Sequence, residues 1–248
     1  KTGKDMADQM IERYISEKGE YPQKVGIVVW ATDTMRTGGD DIAYILWLMG
    51  LRPIWSFRGG AVTGLEVIPA KELGRPRIDV TLRISGLFRD SYPNLVQLID
   101  EGVETIATLD ESDEVNFLSA HLKQDMLARL KEGLSEQEAR DMALVRIFGD
   151  PPGNHGCAVG EVVHASSWKD RKDLADVYTT WGAHAYGRKF RGEKVPELFK
   201  EQFAELDVTV KNRVSREFDI LDVDDDYIFL GGMNACVKAY GNKDPVSI

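Results

Sequence analysis

Two short apolar runs constrain this chain more than any other feature: KVGIVVW at 24–30 and RIDVTLRIS at 77–85. Each is rich in β-branched residues and has the length of a strand, so each predicts a buried β-strand. The segments around them have helical spacing. DMADQMIERYISEKGEYPQ reads as a helix ending at a glycine, and DIAYILWLMG as a buried helix stopped by Gly50. SYPNLVQLIDEGVETIATL carries apolar residues at Leu95, Leu98, Ile99, Val103 and Ile106. LRPIWS and GLEVIP look like strand pieces, and ATDTMRTGGD like a loop. This β-α-β-α alternation predicts parallel strands covered by helices. Such sheets bind ligands outside the carboxyl ends of their strands. Here those ends are WATDTMR and SGLFRD, which would face each other across one crevice.

Beyond about residue 110 the pattern turns helical, through ESDEVNFLSAHLKQDMLARLKEG, LSEQEARDMALVRIFG, RKDLADVYTTWGAHAYG and KVPELFKEQFAEL. DPPGNHGCAVGEVVHASSW is a Gly- and Pro-rich loop leading to a helix start, and DVTVKNRVS reads equally as strand or helix. REFDILDVDDDYIFLGGMNACVKAYG reads as an acidic turn followed by a short apolar segment, and GNKDPVSI as the start of a strand. The fold class expected is α/β: a parallel-stranded, Rossmann- or flavodoxin-like half at residues 1–110, with a largely helical half at 111–248 packed on it. The chain starts at Lys1 and reads as a piece of a longer one.

Composition narrows the function classes. With 43% hydrophobic residues the chain can bury a sizeable core. A net charge of -10 argues against nucleic acid as the main partner, because phosphate backbones need a basic surface. No run is long and apolar enough to span a membrane, and no signal peptide is visible. Two cysteines, Cys157 and Cys236, fit a reduced, cytoplasmic protein better than a disulfide framework.

Neither GxxxxGK[ST] nor GxGxxG is present, so the chain is not expected to hydrolyse ATP itself. RTGGDD either cradles an anion at a helix N-terminus or is a tight turn with an Asp cap. Of the four histidines, His155 lies two residues from Cys157 in a Gly-rich loop, either a transition-metal contact or a structural loop; His164 and His184 read as helix-surface or partly buried. The acidic run Asp219, Asp222, Asp224, Asp225 and Asp226 fails the EF-hand pattern at Asp224 and Leu230. It is a solvated capping turn, or a site for a hard metal or a basic partner.

The second strand is crowded with charge. Arg83 falls in its middle and must be paired or snorkel. Arg75, Arg77 and Arg89 at its ends can make fork-shaped contacts with carboxylates. Those carboxylates are either Glu72, Asp79 and Asp90 or those of a ligand.

These blocks together resemble a known family. ELGRPRIDVTLRISGLFRDSYPNLVQLID is similar to a signature of the large subunits of cobaltochelatase and magnesium chelatase. VVWATDTMRTGGDDIAYILWLMGLRP, RIFGDPPGNHG, SSWKDRKDLADVYTTWGAHAYG and REFDILDVDDDYIFLGGM resemble further blocks of that family, in the same order. The Trp-Gly and Gly-Gly-Met blocks lean toward the cobalt branch. The chain departs from that branch at Phe218, where a His is expected, and at Ile228 and Leu230, where Gln and Glu are expected.

The resemblance implies part of a large, tetrapyrrole-binding subunit that inserts a divalent metal, with ATP hydrolysed by partner subunits of the AAA+ type. Co²⁺ insertion into a corrinoid precursor in cobalamin biosynthesis is favoured, and Mg²⁺ insertion into a porphyrin is the alternative. A non-catalytic docking portion for the ATPase, with Asp219 to Asp226 as its handle, is the rival reading. On the chelatase reading, Arg75, Arg77 and Arg89 contact rim carboxylates or order the crevice, and Trp30 takes the ring face. Asp33 and Asp90 handle protons or metal, and His155 touches the metal.

Overall fold

The structure is a computed structural model that describes residues 1–57, 60–214, 217 and 222–248. In chain order the first elements are α1 (Thr2–Lys18), β1 (Lys24–Val29), α2 (Ala31–Thr37), α3 (Asp40–Met49), β2 (Leu51–Trp55), β3 (Val62–Val67) and α4 (Ala70–Leu73). There follow β4 (Asp79–Ile84), α5 (Gly86–Ser91), α6 (Pro93–Ala107), α7 (Phe117–Lys131), α8 (Glu136–Ala143), β5 (Ile147–Gly149) and α9 (Val159–His164). The last are α10 (Arg171–Gly182), β6 (His184–Tyr186), β7 (Arg191–Lys194), α11 (Pro196–Ala204), β8 (Val208–Val210), α12 (Asp224–Gly241) and β9 (Val246–Ser247).

Among the described residues a seven-stranded sheet runs in the order β7-β6-β5-β4-β1-β8-β9. β5, β4, β1, β8 and β9 are parallel, and β6 and β7 form an antiparallel edge. β2 and β3 pair separately as a hairpin. Every residue of β1 and β4 is buried, as expected of central parallel strands covered on both faces. Alternation survives inside that uniform burial. Val25, Ile27 and Val29 of β1, with Val80, Leu82 and Ile84 of β4, enter the core under α1, α3 and α6. Val28 points the other way, into the core formed by α10, α11 and α12. Gly26 shares that second face, where a Cβ would come within 2.5 Å of Leu206 and 2.8 Å of Met233.

The α/β, mainly parallel architecture is the one expected, with three differences of detail. Among the described residues the second half supplies five strands as well as helices, so strands from both sides of residue 110 share one sheet. Those strands have two to four residues, too short for a periodicity to register. The segment after β1, expected as a loop, forms helix α2, in which the hydroxyls of Thr34 and Thr37 donate to the carbonyls of Trp30 and Asp33, each at 2.8 Å. The short apolar segment expected after the acidic run is the 18-residue helix α12, with Asp224, Asp225 and Asp226 in its first turn. Carboxylates there are favoured by the helix dipole. Ile228 and Leu230 are both buried on α12, which accounts for apolar residues where polar ones were expected. Phe218 and Asp219 lie outside the described residues.

Candidate functional site

β4, β1 and β8 end at the same edge of the sheet, and their chains then part. After β1 the chain enters α2 and α3, on the side of the first core; after β8 it returns through α12, on the side of the second. A crevice opens where neighbouring strands send their connections to opposite faces. Here it is a cleft of about 300 Å³ whose lining includes Trp30, Asp33, Arg36, Lys211, Arg213 and Asp226.

Its wall is ionic and nearly dry. The Lys211 ammonium is ion-paired with Asp33, lies 3.8 Å from Asp226 and donates to the Asn212 carbonyl at 3.0 Å. Arg213 reaches Asp226 at 3.3 Å. The Lys211 ammonium also sits 4.1 Å from the centroid of the Trp30 ring, a cation–π contact. Trp30 meets Phe229 edge-on at 5.5 Å, and its indole Nε1 has no hydrogen-bond partner among the described residues. Burial pushes the Asp226 carboxyl up, against the pull of Lys211 and Arg213.

Behind this wall Asp41, buried on α3, accepts from the Asn212 side chain at 2.7 Å. Burial raises its carboxyl to about 6, outweighing Asn212 and Lys211. The native state therefore holds a proton that the unfolded chain releases near about pH 4. This stabilisation is present below about pH 4 and is lost as the pH rises to about 6, amounting to on the order of 2–3 kcal/mol. Asp41→Asn is expected to remove that decline and to be more stable than the parent chain at pH 7. Urea unfolding midpoints at pH 4.5 and 7 measure it; an unchanged difference between them would exclude the effect.

On the β4 and β5 side the charges are spent inside the protein. Arg83 and Asp150 are both fully buried and ion-paired with each other. The Asp150 carboxylate also accepts from Gly86 N, at the start of α5, and from Gly156 N, each at 3.0 Å. Its own carboxylate thus fills the seat of backbone amides where such sheets bind phosphates. Two of the RTGGDD amides are likewise taken, since Thr37 Oγ1 accepts from Gly39 N and Asp40 N at 3.3 and 3.1 Å; the stretch is a turn, built on the left-handed Gly38 and Gly39.

Arg89 donates to the carbonyls of Asp150 and Pro151 at 3.1 and 2.8 Å and to Asp90 at 2.6 Å. Its hydrogen bond holds Asp90 down at about 2. Asp90 in turn meets His155 at 2.9 Å on the exposed rim. His155 and Cys157 do not form a pair of soft ligands: Cys157 is buried, and burial pushes its thiol up to about 11. Among the described residues no group of three or more His, Cys, Asp or Glu is placed to hold a metal ion.

Trp30, Asp33, Arg89, Asp90 and His155 all lie at the carboxyl edge of the sheet. Arg75 and Arg77 do not, and the expectation that they share the crevice is corrected. They precede β4 and so sit at its amino end. Arg75 donates to the Leu48 and Pro76 carbonyls and packs against Trp47, while Arg77 is buried and bound to Glu111. Lys211 and Arg213 were missed, and Asp226 was singled out only within the acidic run, with no link to this cleft. Reading DVTVKNRVS as a strand would have put Lys211 at a carboxyl end; Asp226 comes to the cleft only because α12 folds back across β8.

The sequence profile of the family described as CobN/Magnesium Chelatase matches residues 1–248. Uncharacterized protein MJ0908 of Methanocaldococcus jannaschii is 46% identical over 99% of this chain and 20% of its own length. Aerobic cobaltochelatase subunit CobN of Sinorhizobium sp is 41% identical over 98% of this chain and 19% of its own length. The solved catalytic subunit of cobaltochelatase from Mycobacterium tuberculosis superposes with a TM-score of 0.94 at 41% identity, covering 99% of this chain and 20% of that one. The chain thus spans about a fifth of the length of the curated relatives it matches.

Proposed function

The chain belongs to the CobN/magnesium chelatase family, and from that premise we propose that it forms one wall of the tetrapyrrole site in the large subunit of an ATP-dependent cobalt chelatase. The carrying observation is the cleft at the β1/β8 edge, where an aromatic pair, Trp30 and Phe229, adjoins two carboxylates and two buried or half-buried cations. A flat macrocycle needs an aromatic face to lie on, and its rim carboxylates need cations. Trp30 takes the ring face, and Arg36 at the exposed mouth takes a rim carboxylate. Asp33, ion-paired with Lys211, faces the inner nitrogens. Arg89 orders the rim rather than touching the ligand, since Asp90 and backbone carbonyls take its donors. The exposed Asp90–His155 pair gives the incoming Co²⁺, a substrate here, a weak contact while it sheds water.

Cobalt rather than magnesium is favoured by the Trp-Gly and Gly-Gly-Met blocks and by the cobaltochelatase relatives. The sequence has no phosphate loop, in keeping with ATP hydrolysis by partner subunits of the AAA+ type in the cytoplasm. Among the described residues no helix is long and apolar enough to cross a membrane.

Tryptophan-fluorescence titration with a carboxylated corrinoid precursor and with a free-base porphyrin, with and without Co²⁺, tests the proposal. Micromolar binding that prefers the corrinoid is expected. Trp30→Ala should weaken it about tenfold, the worth of one aromatic contact of roughly 1–1.5 kcal/mol. Binding of neither macrocycle, or equal binding by Trp30→Ala, would move the site elsewhere.

A further inference from the structure

The cleft holds a charge arrangement drawn from three distant stretches of the chain. Lys211 follows β8 directly, and Asp33 lies four residues beyond the end of the adjacent β1, so both stand at one level of the sheet. Asp226 comes from the opposite side, in the first turn of α12. One buried ammonium therefore stands between two buried carboxylates on a cavity wall, tightly paired with Asp33 and at 3.8 Å from Asp226. The other charged groups facing Asp226 among the described residues are Arg213, at 3.3 Å, and Asp225 on its own helix. Asp41 lies behind Asn212, and Arg36 and Glu217 line the cleft farther out.

We propose that Asp226 accepts the protons that leave the inner nitrogens of the bound macrocycle, and that Lys211 positions it by holding Asp33 in an ion pair alongside; this rests on the tetrapyrrole-site reading above. Each inner N–H bond that gives way to the metal leaves its electron pair on nitrogen, which donates it to the metal. The proton forms an O–H bond on Asp226. Nothing is oxidised or reduced.

Before transfer, Asp33 and Asp226 balance Lys211 and Arg213. After it, the wall carries one excess positive charge, and a second held proton would add another. That excess drives the proton out through the exposed mouth beside Arg36 and Glu217, and resets the carboxylate for the next N–H. Of the two carboxylates Asp226 is the acceptor, because Asp33 is committed to the tight pair with Lys211 and Asp226 is held at longer range. Its upward shift on burial agrees with that role.

The test uses the full-length subunit assembled with its ATPase partners, following Co²⁺ insertion into the free-base corrinoid against pH, with macrocycle affinity measured in parallel. Asp226→Asn is expected to lower the insertion rate about 100-fold or more, the usual worth of a positioned proton acceptor, with affinity changed less than threefold. Asp226→Glu should keep part of the rate. Lys211→Met should move the acidic limb of the rate profile upward by more than one pH unit, because a lost ammonium makes the carboxylates easier to protonate, and Lys211→Arg should restore it. An Asp226→Asn assembly that inserts cobalt within threefold of the parent, or a Lys211→Met profile with an unmoved acidic limb, would overturn the assignment and leave the binding site standing. A parent assembly that binds no macrocycle would remove the site and the acceptor together.

Discussion

Asp150→Asn is expected to destabilise the chain by about 3–5 kcal/mol, the usual cost of leaving a buried charge without its partner. Asp150 is fully buried, with the equally buried Arg83 as its counterion. The neutral amide leaves the guanidinium uncompensated in a dry environment. It also substitutes a poorer acceptor for the carboxylate oxygen that holds Gly86 N and Gly156 N. The damage spreads along the carboxyl end of β5. The loop from Asp150 to Gly156 carries the carbonyls that seat Arg89, and the Tyr186 hydroxyl donates to the Asp150 carbonyl. A urea denaturation series reads the effect as a lower midpoint, or as loss of a folded baseline. Replacing both charged partners, Arg83→Met with Asp150→Leu, should recover part of the loss, because no buried charge is then left unpaired. A single variant as stable as the parent would mean that the pair is hydrated in solution.

Arg77→Met is the second large effect, expected at about 3 kcal/mol or more. Arg77 was expected to greet a ligand. Instead its guanidinium makes two hydrogen bonds to Glu111, at 2.7 and 2.9 Å, and donates to the carbonyls of Met49, Gly50 and Ile68. It ties the end of α3 and the hairpin to the loop after α6. Gly50 belongs to the same arrangement: it has φ 76°, and a Cβ there would come within 2.3 Å of the guanidinium. Methionine keeps the stem but takes its donors from the Met49 and Ile68 carbonyls and leaves Glu111 without this counterion, while the Gly50 carbonyl keeps Ile68 N and Glu111 keeps the Asn116 amide. A fall in the urea midpoint with unchanged macrocycle affinity in the folded fraction is expected. An unchanged midpoint with weakened affinity would return Arg77 to the ligand.

The two variants mark the boundary between what was legible in the sequence and what was not. β1 and β4 were legible because a buried central strand is a local pattern: a short run of mostly β-branched and apolar residues, bounded by turns. The helices α1, α3 and α6 were legible for the same reason, through their periodic apolar faces. β5 and β6 were not, because three residues carry no period and owe their conformation to the strand beside them. The carboxyl edge was located correctly, since it follows from strand direction, and it brought Trp30, Asp33, Arg89, Asp90 and His155 to one side of the sheet.

By itself, then, the sequence determined a parallel α/β chain of the chelatase family, with the carboxyl edge of its sheet after β1 and β4. Only the tertiary structure decided which charges a ligand could meet. A charge finds its partner across the fold rather than along the chain: Arg83 and Asp150 are 67 residues apart, and Lys211 and Asp33 are 178. Periodicity reports burial, and burial sets the cost of an unpaired charge without naming the partner that relieves it. Strand β4 carries arginines near both of its ends and one in its interior, all alike in sequence. The packed protein turns two of them into braces at its amino end, buries one against Asp150 and ties Arg89 to Asp90 and to the carbonyls of Asp150 and Pro151.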